Sequence, residues 1–353
     1  MNLIILATLS LIFVLGWYGW STGRLRLMQT WPDYSNLMAI SPDGLLLATP
    51  AGPSQKRKIA DLTLTSSTTV KLHSFPDGAV VRTLEAFYVT KLAFSPDNSL
   101  IAAGTGLGEI FIWRVADGQL LHSFKATTIE PRLMPLVNTL IFSRDGQTLV
   151  TGVGEQIDFW RVSNGQLLYS FSPGYNGALS PDGQILAVDY RATQITLYRL
   201  SDGTRLRQLE LNGHPRFSSD GKILAISHST SLDDSWQKVL LYRLSDDTVL
   251  GTLPGLKENP LALAFSPDGR YLAATYRTGG GGSGIMIAPD FSPPDRWHLA
   301  LWRLDNLSSQ YSFRRVSHWQ KKDFGAFTAL AFSPDGKILV SGGDAIRLWR
   351  MPD

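Results

Sequence analysis

The chain has 353 residues and contains no cysteine, so disulfide bonds, thiolate catalysis and cysteine-ligated zinc or iron–sulfur sites are excluded. Charged residues are also scarce, at 18% of the sequence, and the net charge is only +3. This is far from the strongly basic composition of a nucleic-acid-binding domain. The remaining composition is globular, with 44% hydrophobic residues, 32 glycines and 19 prolines. It is typical of many short strands joined by tight turns.

Catalytic motifs are also missing from the sequence. No G-x-S-x-G nucleophile elbow is present, and the six histidines do not have the spacing of metal ligands: His73, His122, His214, His228, His298 and His318. The run Gly279–Gly284 lacks the flanking strand and helix and the trailing Lys-Ser/Thr of a phosphate-binding loop. The sequence therefore predicts a protein that is not an enzyme and that holds neither a metal nor a cofactor.

One long apolar segment lies at the N-terminus. Residues 3–20 form an uncharged run of 18 residues that, as a helix, would extend about 27 Å and nearly cross a bilayer core. Aromatic residues crowd its C-terminal end, and no Lys or Arg precedes it. We predict a retained single-pass membrane anchor over residues 1–21, with a cleaved signal peptide as the alternative. Arg24 and Arg26, which follow the segment, favour a cytoplasmic location for the rest of the chain.

The remainder of the chain is repetitive. A turn of the form S-x-D-[GN] recurs seven times, at Asp43, Asp97, Asp145, Asp182, Asp220, Asp268 and Asp335. A second motif, in most copies an aromatic residue followed by Arg, comes after each turn: Val70–Gly78, Ile110–Gly118, Ile157–Gly165, Ile195–Gly203, Val239–Asp247, Leu299–Asn306 and Ile346–Asp353. The first copy lacks both the aromatic residue and the Arg. Each unit resolves into four short strands, a to d, with tight Asp-Gly or Asn-Gly turns after strands a and c.

These repeats resemble the WD40 family in its bacterial variety with SPDG turns, over residues 22–353. The resemblance implies an all-β fold, a seven-bladed β-propeller with four antiparallel strands in each blade. The last unit stops after its strand c, whereas Arg24–Gln29 has the pattern of a strand d. We therefore predict that Arg24–Gln29 closes the ring as the outermost strand of the blade that contains Ala345–Arg350.

The chain departs from the family pattern in its side chains. The Gly-His dipeptide of the family occurs once, at Gly213 and His214, and the Asp of the b–c turn is mostly replaced. The resemblance alone therefore leads us to expect that the His-Ser-Trp-Asp hydrogen-bond network of the family is absent.

The two faces of the implied propeller differ. The a–b and c–d turns share one face, here called the turn face, and the b–c and d–a loops share the other, here called the loop face. All long connections belong to the loop face: Pro50–Thr68, Lys125–Val137, His228–Gln237, Arg277–Trp297 and Arg314–Phe327. Functional residues concentrate on loops held by a rigid scaffold, so we expect partners to bind the loop face. The turn face should lie near the bilayer, because only Ser21–Gly23 separate the apolar segment from the closing strand.

Two groups of residues are candidates for binding a partner on the loop face. One is a cationic patch in which Arg314, Arg315, His318, Trp319, Lys321 and Lys322 share a loop and lie near Lys56, Arg57 and Lys58. The other is the pair Trp236 and Trp297, as interface anchors. The alternatives are a solvated loop for the first group and packing in the core for the second.

The sequence thus predicts a membrane-anchored scaffold that binds an unknown protein partner through its loop face, without a role for nucleic acid. One alternative is a propeller hydrolase or lactonase with a site at the mouth of the central channel. A further alternative is a binder of an anionic polymer through the cationic patch.

Overall fold

A computed structural model describes residues 25–33, 35–51, 55–59, 62–126, 135–172, 174–190, 194–211, 213–227, 239–254, 256, 260–278, 296–305, 312–320 and 327–352. In these ranges, thirty β-strands form seven four-stranded antiparallel sheets and one two-stranded hairpin. The predicted all-β, seven-bladed propeller is therefore confirmed.

The strands are numbered in chain order and grouped by blade. Blade 1 contains β2 (Ala39–Ile40), β3 (Leu46–Ala51), β6 (Thr69–Ser74) and β7 (Val80–Glu85), with β4 (Gln55–Ile59) and β5 (Leu62–Ser66) as an added hairpin. Blade 2 contains β8 (Val89–Phe94), β9 (Leu100–Thr105), β10 (Glu109–Arg114) and β11 (Leu120–Lys125). Blade 3 contains β12 (Val137–Phe142), β13 (Thr148–Val153), β14 (Gln156–Arg161) and β15 (Gln166–Phe171).

The second half of the ring follows the same order. Blade 4 contains β16 (Gly177–Leu179), β17 (Ile185–Tyr190), β18 (Gln194–Arg199) and β19 (Arg205–Leu209), and blade 5 contains β20 (His214–Phe217), β21 (Ile223–Ser227), β22 (Val239–Arg243) and β23 (Thr248–Thr252). Blade 6 contains β24 (Pro260–Phe265), β25 (Tyr271–Thr278), β26 (Arg296–Asp305) and β27 (Ser312–Gln320). Blade 7 contains β28 (Phe327–Phe332), β29 (Ile338–Gly343), β30 (Ile346–Arg350) and, from the other end of the chain, β1 (Arg26–Trp31).

The first strand of each blade lies at the centre of the ring. These strands contact one another in closed order: β2, β8, β12, β16, β20, β24, β28 and again β2. Seven buried apolar clusters fill the spaces between the blades. The seven innermost strands therefore line a central channel, and the apolar core lies around it.

The ring closes through β1. This strand pairs antiparallel with β30, from Arg26 opposite Arg350 to Trp31 opposite Ile346, which confirms the predicted closure. The observed strand begins and ends two residues later than Arg24–Gln29. It ends at Trp31, which is buried and whose ring stacks 5.5 Å from that of His73 in blade 1. Contacts with the next blade, which the pattern of a single strand does not reveal, determine where β1 ends.

The seven S-x-D-[GN] turns share one set of hydrogen bonds. In each, the Ser Oγ donates to the Asp Oδ1 at 2.5 to 2.6 Å, and that oxygen accepts the amide N–H two residues after the Asp. The serine bond is the main cause that lowers the pKa of Asp97, Asp145, Asp182 and Asp335. A carboxylate with a lowered pKa stabilises the fold above its unfolded pKa, and that contribution is lost as the pH falls below about 4.

The expected absence of the family's hydrogen-bond network is wrong for its Ser/Thr–Trp part. Trp160 Nε1 donates to Thr151 Oγ1 and Trp349 Nε1 donates to Ser341 Oγ, both at 2.8 Å. In blade 1, where the aromatic residue is missing, the His73 Nε2 lies 3.1 Å from Thr49 Oγ1. A side-chain bond between the second and third strands thus recurs in these blades, since a buried ring nitrogen needs a partner.

The predicted anchor, residues 1–21, lies outside the described ranges. Within those ranges, no helix has the length and apolar character needed to cross a membrane.

The closure leads to a testable prediction. Leu25 is 1% exposed and packs with Trp349 and Met351, whereas Leu27 in the same segment is 36% exposed. We expect Leu25→Ala to lower the free energy of unfolding by about 2–5 kcal/mol, as large-to-small core substitutions do, and Leu27→Ala to lower it by less than about 1 kcal/mol. Urea unfolding at equilibrium measures both. Equal effects of the two substitutions would contradict closure through this segment.

Candidate functional site

The structure places the predicted cationic residues of blade 6 in a strand. Arg314, Arg315, His318 and Trp319 belong to β27, the outermost strand of the blade, and pair with residues of β26. The prediction that they share a loop is therefore wrong. The backbone ladder between β26 and β27 continues from Asp305 opposite Ser312 to His298 opposite Gln320, beyond the length of the other blades. Lys321, Lys322 and Trp236 lie outside the described residues.

The cations of blade 1 lie on the added hairpin. Lys56, Arg57 and Lys58 belong to β4, and Lys56 is exposed. Lys56 lines a groove of about 440 Å³ together with Glu85 of β7 and Glu109 of β10. Because Glu109 belongs to blade 2, Lys56 faces blade 2, on the side of blade 1 away from blade 6. The expected proximity of Lys56 to the cations of blade 6, and a role of either group in binding a partner, stay predictions.

Trp297 has a packing role in the structure. It lies on β26 and contacts the cluster between blades 6 and 7 that contains Tyr271, Leu299 and Trp349. This is the alternative that the sequence left open for this residue.

A different site, which the sequence analysis did not single out, lies in the central channel. Each innermost strand ends one residue before its turn Ser, and the residues two before that Ser are Ala39, Ala93, Ile141, Ala178, Arg216, Ala264 and Ala331. Arg216 is exposed, while the other six are small or aliphatic. Comparison of the seven repeats at this one position would have revealed the exception.

Arg216 is an unusual arginine. Its Nη1 donates to the carbonyl oxygen of Pro215 at 2.9 Å, and within the described part of the chain no carboxylate lies within ion-pair distance of its guanidinium. Desolvation by the surrounding protein lowers the pKa of Arg216, although the charge of Asp189 acts in the opposite direction. Arg216 is thus reached by solvent and at the same time surrounded by protein, as expected for a side chain in a narrow channel.

A second cation shares this space. Lys91 lies two residues before Ala93 on β8, and burial lowers the pKa of its ammonium group to about 8, with a further contribution from the charge of Arg216. Blades 2 and 5 are not neighbours, since blades 3 and 4 lie between them. Lys91 and Arg216 therefore influence each other across the channel.

The wall between blades 4 and 5 carries a buried polar junction. Asp189, at the loop-face end of β17, is fully buried and accepts hydrogen bonds from the Asn176 backbone at 3.0 Å and from Asn176 Nδ2 at 3.2 Å. It also contacts His214 Nδ1. Asn176 and His214 are the counterparts of Lys91 on their own blades, each four residues before the turn Ser. The polar part of the channel thus lies at its loop-face end.

Among the residues that the structure describes, no three or more His, Asp or Glu side chains come together as ligands for a metal ion. Asp189 and His214 form a pair only, and the remaining partner of Asp189 is the amide of Asn176.

Comparison with known families agrees with the geometry. The family model described as "WD domain, G-beta repeat" matches residues 78–114 and 315–349. Each match covers an outermost strand and the three inner strands of the next blade, β7 to β10 in the first case and β27 to β30 in the second. A search of the curated proteins finds no match to the chain.

The polar junction yields a prediction about stability. We expect Asp189→Ala to lower the free energy of unfolding by about 2–3 kcal/mol, because the partly buried amide groups of Asn176 and the ring of His214 lose their acceptor. Glu210→Ala, at an exposed acidic position, serves as the control and should change it by less than about 0.5 kcal/mol. Equilibrium unfolding in urea at neutral pH measures both, and a near-neutral Asp189→Ala would show that the junction contributes nothing to the fold.

Proposed function

The chain is a WD40-repeat β-propeller, and on that premise we propose that it acts as a non-enzymatic scaffold that binds a protein partner through its loop face. Propellers of this family typically serve as protein-interaction scaffolds, which supports the general class of function. A fold by itself does not determine function, so the argument for the surface rests on the difference between the two faces.

The difference between the faces carries this proposal. At the turn face, the seven a–b turns repeat the same Ser–Asp hydrogen bonds, so this face offers little variation from blade to blade. At the loop face, the hairpin β4–β5 is added to blade 1, and β25 and β26 extend to eight and ten residues, against six for β9 and β10. A surface that differs between blades can recognise a specific partner more readily than a repetitive surface.

The enzyme alternative has one feature in its favour, the pair formed by His214 and the fully buried Asp189. A buried carboxylate that orients a histidine is also part of hydrolytic sites. In such a site the histidine must contact a nucleophile, and the ring contacts of His214 within the described residues are with Asp189 and Asn176. The geometry therefore supports the scaffold better than the hydrolase.

We further propose that residues 1–21 anchor the propeller in a membrane and that the turn face lies toward the bilayer. The support is topological, because Arg26 at the start of β1 lies opposite Arg350, next to the turn that precedes Ile338. The chain therefore enters the propeller at the turn face, and Met28, two residues after Arg26 on the same strand, is exposed. The loop face would point away from the membrane, and Arg24 and Arg26 favour the cytoplasmic side.

The partner surface can be tested by trimming the hairpin. Replacing residues 56–65 with Asn-Gly places a two-residue turn between Gln55 and Ser66, which pair directly, so blade 1 should be unaffected. Quantitative affinity purification of the full chain after crosslinking in membranes should show a loss of at least about tenfold in the captured partner, since interface anchors dominate binding. The joint variant Arg314→Glu, Arg315→Glu, Lys321→Glu and Lys322→Glu tests the second candidate surface in the same way.

The matched control changes charge on the turn face. Lys222→Glu with Lys337→Glu alters two lysines whose side chains are 73% and 81% exposed beside the a–b turns. This variant should retain the partner. If it loses the partner while both loop-face variants keep it, the binding surface has been assigned to the wrong face.

The anchor has a test of its own. The full chain should remain in the membrane pellet after extraction at high pH, and a chain that begins at residue 22, which keeps β1 intact, should appear in the supernatant. Release of the full chain, or an N-terminus found after residue 20 by peptide mass spectrometry, would replace the anchor with a cleaved signal peptide.

A further inference from the structure

The central channel contains two positive charges that the fold does not need. Of the seven residues two before the turn Ser, six are small or aliphatic, and the exception is Arg216. At the position four before the turn Ser, the residues are Leu37, Lys91, Thr139, Asn176, His214, Ala262 and Ala329. The repeat can therefore be built with an uncharged residue at both places.

The two charges are also unfavourable as they stand. Neither Lys91 nor Arg216 has an ion-pair partner within the described residues. The surrounding protein disfavours the charged form of each side chain and lowers its pKa. Like charges that share a poorly solvated space repel each other. Elsewhere the chain handles a buried arginine differently, since Arg347, 5% exposed, donates to Asp344 at 3.0 Å.

Nearby groups do not supply the missing negative charge. The charge of Asp189 acts on Arg216, but the oxygens of Asp189 already accept hydrogen bonds from Asn176 and contact His214. The guanidinium of Arg216 is held in place through one bond to Pro215, which leaves its other donors available. The counterparts of Arg216 on the two neighbouring blades, Ala178 and Ala264, are small.

We propose that the central channel binds a small anion that carries a phosphate or carboxylate group, held between the ammonium group of Lys91 and the guanidinium group of Arg216. Both groups are ordinary ligands of these anions, and an anion between them would turn repulsion into two charge-assisted hydrogen bonds. The site is independent of the protein-binding surface proposed above, so either proposal can fail without the other.

Thermal unfolding of the full chain, purified in a non-ionic detergent, tests the site. The probes are inorganic pyrophosphate and citrate, each at constant ionic strength with sodium chloride as the reference. A ligand that binds only the folded state raises the Tm by mass action, so at least one probe should raise the Tm of the wild type and chloride should not. A rise with pyrophosphate alone identifies a phosphate ligand, and a rise with citrate alone identifies a carboxylate ligand.

Variants locate the effect. Lys91→Met and Arg216→Met should abolish the rise in Tm caused by the probe, whereas Lys337→Met, at a lysine whose side chain is 81% exposed on the turn face, should preserve it. Without any probe, Lys91→Met should melt about 2 °C above the wild type, because it removes a desolvated charge without a partner. If Lys91 instead stabilised the fold, Lys91→Met would melt below the wild type.

A second measurement on the wild type does not depend on the variants folding. The neutral amine of Lys91 should react readily with a small acylating reagent at pH 8, and the probe should slow that reaction at least fivefold, read by peptide mass spectrometry. The rise in Tm caused by the probe should shrink between pH 7 and pH 9, as Lys91 loses its proton opposite Arg216. The proposal is wrong if neither probe shifts the Tm, if both channel variants keep the shift, or if Lys91 is not protected.

Discussion

The ladder between β1 and β30 is the interaction on which the rest of the structure depends. Each blade buries both faces of its sheet against its neighbours, and blade 7 is a four-stranded sheet like the others only because β1 joins it from the other end of the chain. Leu25 and Trp31, at the two ends of β1, enter the apolar clusters on the two sides of that blade. The beginning and the end of the chain therefore fold as one cooperative unit, and the channel exists only because they do.

Much of this fold could be predicted from the sequence, because the decisive signals are local. The Ser, Asp and Gly of each turn form hydrogen bonds within a few residues, as Ser41 does with Asp43 and with the amide of Leu46, so the motif marks one hairpin whatever surrounds it. The extents of β25, β26 and β27 could not be predicted in this way. They depend on pairs such as Arg277 with Trp297, in which neither residue carries a local strand signal. Local chemistry thus determines the number of blades, while tertiary pairing determines how far each one extends.

The site was harder to predict for the same reason. The cations of β4 and β27 are conspicuous because they are adjacent in sequence, yet the ring places Lys56 beside Glu85 of its own blade and Glu109 of blade 2. Lys91 and Arg216 are isolated charges in apolar strands and attract no notice in a linear sequence. They share an environment only after the propeller closes, so their relation is a property of the ring and not of any segment.

A repeat protein offers its own standard for judging such exceptions, because every position in a blade has counterparts in the others. At the two channel positions these counterparts show that small or neutral side chains satisfy the architecture, and Arg347 shows that a buried arginine with a structural role receives a carboxylate. Lys91 and Arg216 meet neither condition. An unpaired, desolvated charge lowers the stability of the fold, so selection for folding alone would replace it. The innermost strands that carry them, β8 and β20, are entered from loop-face connections. An anion held between these strands would therefore join β8 and β20 across the channel, which links the chemistry of the channel to the strands that follow two of the loop-face connections.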